Sequence, residues 1–104
     1  MPGSRLDIGR TNVTDAGLHH LKNMSTLNEL SLGYTVVTGT GISEVASLSK
    51  LTKLQLAFTQ LKDSDLPVLN SMTSLRKLWV GYAGLSESAL EELREALPDC
   101  RVYG

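Results

Sequence analysis

Few of the side chains able to do covalent or acid–base chemistry stand at spacings that would let them act together. His19 and His20 are the only imidazoles. Neighbours on a helix point about 100° apart, so the two rings could not converge on one metal ion, and solvated surface histidines are expected. Asp63 and Asp65 bracket Ser64, which fits acidic caps at a helix start better than a divalent-ion loop. Serines are plentiful, yet no Gly-x-Ser-x-Gly turn occurs, and neither histidine falls where it could serve a serine as base. The glycines recur at regular intervals rather than forming a phosphate cradle, so no nucleotide cofactor is expected. Cys100 precedes Arg101 and is expected to be a half-buried structural thiol rather than a nucleophile. With no catalytic, cofactor or metal set in view, a non-enzymatic role is expected.

Composition narrows the partners. Ten Lys and Arg against eleven Asp and Glu in 104 residues leave no basic field for nucleic acid or an anionic membrane, and neither is expected. No apolar run approaches the ~20 residues of a membrane span. The opening Met1-Pro2-Gly3-Ser4 lacks the regions of a signal peptide and is expected to be a short leader, appended or trimmed. One cysteine cannot form an internal disulfide, which leans toward a reducing, cytoplasmic compartment.

What remains is recognition chemistry, and it is periodic. Tyr34, Phe58 and Tyr82 are spaced by 24 residues, and so are Trp79 and Tyr103. A fixed period of this length points to a stack of equal structural units. The aliphatic residues keep the same beat: Leu6, Leu30, Leu54, Leu78, Val102; Ile8, Leu32, Leu56, Val80; Val13, Val37, Leu61, Leu85; Leu18, Ile42, Leu66, Leu90; and Leu21, Val45, Leu69, Leu93. Segments such as Leu54-Gln55-Leu56 alternate with period two, the mark of a short strand with one buried face. The second half of each unit spaces its apolar residues by three, as Leu90 and Leu93 do, which predicts a helix with one inward stripe. Thr14-Asp15, Thr38, Asp63 and Ser86-Glu87 are expected to cap those helices.

Strands that each return through a helix to the same end must lie parallel in a right-handed coil. The expected architecture is therefore an α/β solenoid, a horseshoe segment with a parallel concave sheet and helices on the convex side. It forms a single domain over 1–104, with repeats near 5–26, 27–50, 51–74 and 75–98 and a terminal strand at 100–103. Leu27-Asn28-Glu29-Leu30-Ser31-Leu32, Leu51-Thr52-Lys53-Leu54-Gln55-Leu56 and Leu75-Arg76-Lys77-Leu78-Trp79-Val80 resemble the LxxLxL signature of leucine-rich repeats. Thr11-Asn12-Val13-Thr14-Asp15-Ala16-Gly17-Leu18 is similar to the xxITDxGL half-repeat of F-box-associated and bacterial members of that family. The resemblance implies recognition of another protein. It does not carry a role in ubiquitin ligation, because no F-box segment is present. The position usually held by Asn or Cys is Thr11, Thr35, Thr59 and Ala83 here. The hydroxyls are expected to form a ladder between repeats, and Ala83 to leave a looser, water-filled corner.

Residues between the buried strand positions should face outward. They form the columns Arg5, Glu29, Lys53, Lys77, Arg101; Asp7, Ser31, Gln55, Trp79, Tyr103; the small strip Gly9, Gly33, Ala57, Gly81; and Arg10, Tyr34, Phe58, Tyr82. All five aromatic residues lie in these columns and none in the core. A protein or peptide partner is therefore expected at Tyr34, Phe58, Trp79, Tyr82 and Tyr103. Lys53, Lys77 and Arg101 would stand at the rim, and the small strip would let the partner come close. The alternative is a stabilising aromatic spine in a structural or capping segment of a larger repeat assembly. The C-terminal helix 86–97 and last strand are expected to close one end. The other end, strand 5–9, should be open, which implies either the tail of a longer repeat protein or self-association through that edge.

Overall fold

A pattern that alternates for three positions and then shifts to spacing three is satisfied by a chain that runs as a strand, turns, returns as a helix and begins again. The computed structural model, which describes residues 4–104, has that order: β1 Ser4–Asp7, α1 Asp15–Leu18, β2 Leu27–Ser31, α2 Gly39–Val45, β3 Lys53–Gln55, α3 Leu66–Asn70, β4 Lys77–Trp79, α4 Glu87–Ala96 and β5 Arg101–Tyr103. The expected leader lies outside the described residues except for Ser4, which belongs to β1.

All five strands are parallel and pair in sequence order. Their register is the repeat itself: Leu6 lies beside Leu30, Leu30 beside Leu54, Leu54 beside Leu78 and Leu78 beside Val102. A one-residue slip would turn this leucine row to solvent, so burial of one face specifies the register. Leu30, Leu54 and Leu78 are buried against Ile42, Val45, Leu66, Leu69, Leu90 and Leu93 from the helical side. In the first repeat Leu6, Ile8, Val13 and Leu21 are only partly buried, because among the described residues β1 has a neighbour on one side alone.

The helices are shorter than the apolar spacing predicts. Four-residue α1 runs into a 3-10 turn at His19–Leu21, and five-residue α3 follows another at Asp63–Asp65. A 24-residue unit that also holds a strand and two corners has room for little more than one or two helical turns. At ten residues α4 is the longest of the described helices.

Helix capping differs from expectation in a way that ties the repeats together. Thr38 and Ser86 cap their own helices through the Thr40 and Ala89 amides, but Thr14 makes no side-chain cap bond. The acidic residues reach forward one repeat instead. Asp15 accepts from the Thr38 amide at 2.7 Å and its hydroxyl at 2.5 Å; Asp63 accepts from the Ser86 amide at 2.9 Å and its hydroxyl at 2.6 Å. A carboxylate at the first helical position lies one solenoid step from the next cap, within reach of its unpaired N–H. Between these junctions Gly39 has no side chain to offer, and Asp65 accepts the Lys62 amide at 2.8 Å from within its own repeat. A Cβ on Gly39 would collide with that carboxylate.

Candidate binding surface on the sheet

The corner after each strand sets the aromatic column. Arg10, Tyr34, Phe58 and Tyr82 all have left-handed backbone, with φ of 58°, 59°, 60° and 53°. Bulky L residues lose roughly 1–2 kcal/mol there, so glycine or asparagine would be the ordinary choice. Hydrogen bonds hold the strained residue on both sides. The amides of Arg10, Tyr34 and Phe58 donate to Gly33, Ala57 and Gly81 carbonyls of the next repeat at 2.9, 3.0 and 3.0 Å. The hydroxyls of Thr11, Thr35 and Thr59 donate back to Ile8, Leu32 and Leu56 carbonyls at 2.6, 2.7 and 2.7 Å. The threonines thus close their own turns rather than forming a ladder between repeats, because the carbonyl three residues back is the acceptor this corner brings within reach. The corner at Ala83 is packed, not open: Ala83 is 1% exposed, and its carbonyl accepts from the Leu61 amide at 2.7 Å.

One repeated backbone conformation sends successive rings the same way. Tyr34 and Phe58 stack with centroids 4.4 Å apart and planes 12° from parallel; Phe58 and Tyr82 stack at 4.9 Å and 18°. The Arg10 guanidinium covers the outer face of Tyr34, 3.9 Å from its centroid. Tyr34 and Phe58 remain 46% and 43% exposed, mostly along their edges, while Tyr82, whose far face is open, is 84% exposed. A second pair comes from neighbouring strands: half-buried Trp79 stacks on exposed Tyr103 at 5.4 Å and 16°.

Beside the rings, the small strip has a packing role. A Cβ on Gly9 would sit 2.9 Å from the Gly33 carbonyl, and one on Gly33 3.3 Å from that of Ala57. The space expected to admit a partner is therefore taken up largely by the next repeat. Asp7 and Gln55 turn onto this strip as well, accepting the Gly9 and Ala57 amides at 3.0 and 2.8 Å.

The charged column is uneven. Glu29 holds Arg5 at 3.5 Å and Lys53 at 3.1 Å, whereas Lys77 and Arg101 join no ion pair among the described residues. A shallow depression of about 210 Å³ opens over this face, lined by Asp7, Glu29, Ser31, Lys53, Gln55 and Trp79 among others. The structure therefore sorts the expected partner residues into two groups. Lys77, Trp79, Arg101 and Tyr103 share β4 and β5, while Tyr34, Phe58 and Tyr82 line the corners. Lys53 is engaged with Glu29.

Elsewhere, His19 Nδ1 lies 3.1 Å from Glu44 across two repeats, on the helical side. Among the described residues no group of three or more His, Cys, Asp or Glu is placed to hold a metal. Burial pushes the half-buried Cys100 thiol up, partly offset by the Arg76 charge. The Ser86 hydroxyl and amide hold the Asp63 carboxyl below its ordinary value. Sequence reasoning missed the left-handed corners and the carboxylates that bridge repeats. The signal for the second was present: Asp15 precedes Thr38 by 23 residues, as Asp63 precedes Ser86.

No family model and no curated protein matches the chain by sequence. By shape it is similar to the actin-binding site 2 of leiomodin-1, with TM-score 0.72 and 12% identity over 95% of this chain and 68% of that one. It is also similar to an internalin from Listeria monocytogenes, with TM-score 0.62 and 21% identity over 96% of this chain. The fold is a leucine-rich-repeat solenoid. The chain spans 34% of the internalin's length.

Proposed function

We propose that the chain is a non-enzymatic protein-interaction module. It holds a peptide or another protein on the outer face of its sheet, the inner curve of the arc, through Tyr34, Phe58, Trp79, Tyr82 and Tyr103, with Lys53, Lys77 and Arg101 beside them. The supporting observation is an exposed aromatic column kept in strained backbone at three successive corners. Strain that the surroundings maintain tends to gather where a protein binds or reacts. Five rings, each able to bury on the order of 150–250 Å², could supply much of the ~800 Å² per partner of a specific interface. The leiomodin-1 match is an actin-binding site, so this fold serves protein recognition there. For this chain the partner class is protein or peptide rather than nucleic acid or membrane.

A second reading, a structural or capping segment of a larger assembly, is favoured by one feature: the rings cover each other's faces, as a stabilising spine would. Tyr82 separates the two. Replacing it with Asn forfeits one stacking contact of about 0.5–1.5 kcal/mol but relieves a left-handed position costing about 1–2 kcal/mol. In Tyr82→Asn combined with Trp79→Ala, partner capture should be lost, while Tyr82→Asn alone keeps the wild-type melting temperature. Undiminished capture by the double variant, with a lower melting temperature for Tyr82→Asn, would favour the spine.

A further inference from the structure

We infer that the partner of this surface is an acidic peptide segment, read at the β4–β5 end of the sheet by Lys77 and Arg101 beside the Trp79–Tyr103 stack. This rests on the interaction reading above and narrows it to one chemistry. The column Arg5, Glu29, Lys53, Lys77, Arg101 carries four cations and one carboxylate. Both oxygens of that carboxylate are taken, Oε2 by Arg5 and Oε1 by Lys53. Lys77 pairs in register with Lys53 on one side and Arg101 on the other, on strands about 4.8 Å apart. Like charges directly opposite destabilise a sheet, and among the described residues no ion pair relieves these two. An external carboxylate would.

Two further features favour the same ligand. Stacking covers one face of Trp79 and one of Tyr103, and the aromatic edge, which stacking leaves uncovered, carries the positive part of the quadrupole. A carboxylate beside Trp79 and Tyr103 therefore meets ring edges and cations together. The net charge of −1 conceals a separation: Glu87, Glu91, Glu92 and Glu95 are all exposed on α4, away from the sheet face. An acidic segment approaching that face is steered to its basic end and away from the helix. The same acidic helix repels a polyphosphate chain long enough to reach past the sheet, so the surface fits a short acidic peptide rather than a nucleic acid.

Trp79 is the chain's only tryptophan, so its emission reports occupancy of this site directly. The full chain is titrated with a short capped peptide of alternating Asp and Gly, its Asn-Gly counterpart, and oligothymidylate. The acidic peptide should shift Trp79 emission saturably and the amide peptide should not. Raising salt from about 0.01 M to about 1 M, which shortens the screening length from about 30 Å to about 3 Å, should abolish the shift. Lys77→Glu places a carboxylate between Lys53 and Arg101, so it should raise the melting temperature while weakening the acidic peptide at least about tenfold. An equal response to the amide peptide, full binding by Lys77→Glu, or oligothymidylate displacing the acidic peptide would each overturn the inference. Loss of partner capture in the Trp79 and Tyr82 variants, with no response to the acidic peptide, would leave the interaction reading standing and remove this one.

Discussion

At the scale of single residues, the consequential side chains are those that satisfy another repeat's backbone. Asp63 takes both donors of Ser86 and is held below its ordinary value by them. A carboxyl whose folded value is depressed stabilises the fold above its unfolded value, near 4, and that contribution is lost as pH falls through the folded value. Wild-type urea midpoints should therefore drop as pH is lowered below about 4, while Asp63→Ala should start lower at neutral pH and decline less steeply. Parallel declines for the two proteins would show that the Asp63–Ser86 contact does not couple to protonation. Asp63 was visible in the sequence as a cap, but not the helix it serves. Side-chain type identifies an acceptor, while the donor it meets depends on where the next turn lies. Tyr34, Phe58 and Tyr82 were legible as an exposed column for the opposite reason: their period alone excluded them from the aliphatic core.

Among the elements, the helix starts show how local sequence and stacking trade places. Two junctions use a carboxylate from the preceding repeat; at the junction between α2 and α3 that position is Gly39, and Asp65 fills in from its own side. Gly39→Asp should destabilise the protein by forcing two carboxylates together. Combined with Asp65→Ser it should recover, because the new side chain can then bridge forward to the Lys62 amide as Asp15 and Asp63 bridge to theirs. The recovery should appear in chemical denaturation as a coupling of about 1 kcal/mol or more, within the range for residues in direct contact. Additive effects would mean that the two positions do not compete for one space. Strand existence and register followed from apolar alternation; helix length did not, since spacing by three suits a 3-10 turn nearly as well as an α-helix over one turn.

Over the described residues each repeat touches only its neighbours, so stability is a sum of nearest-neighbour contacts and is lower in the first and last strands than between them. The two ends are not equivalent. At β5, Arg94 from α4 donates to the Val102 carbonyl at 3.3 Å, whereas Leu6, Ile8, Val13 and Leu21 beside β1 stay partly exposed. Amide exchange should therefore be slowest in β2 to β4, intermediate in β5 and fastest in β1 and the corner after it; protection of β1 equal to that of β3 would contradict this gradient. By itself the sequence determined the solenoid, because a 24-residue apolar period has one economical solution: equal turns stacked with their aliphatic side chains inside. Only the tertiary structure decided that the aromatic column stands on left-handed corners, that among the described residues Lys53 is paired while Lys77 and Arg101 are not, and that carboxylates bridge the repeats. Those outcomes depend on distances between residues some two dozen positions apart. Periodicity fixes which side chains share a column, but which atoms within it come within hydrogen-bonding reach depends on backbone angles and side-chain rotamers.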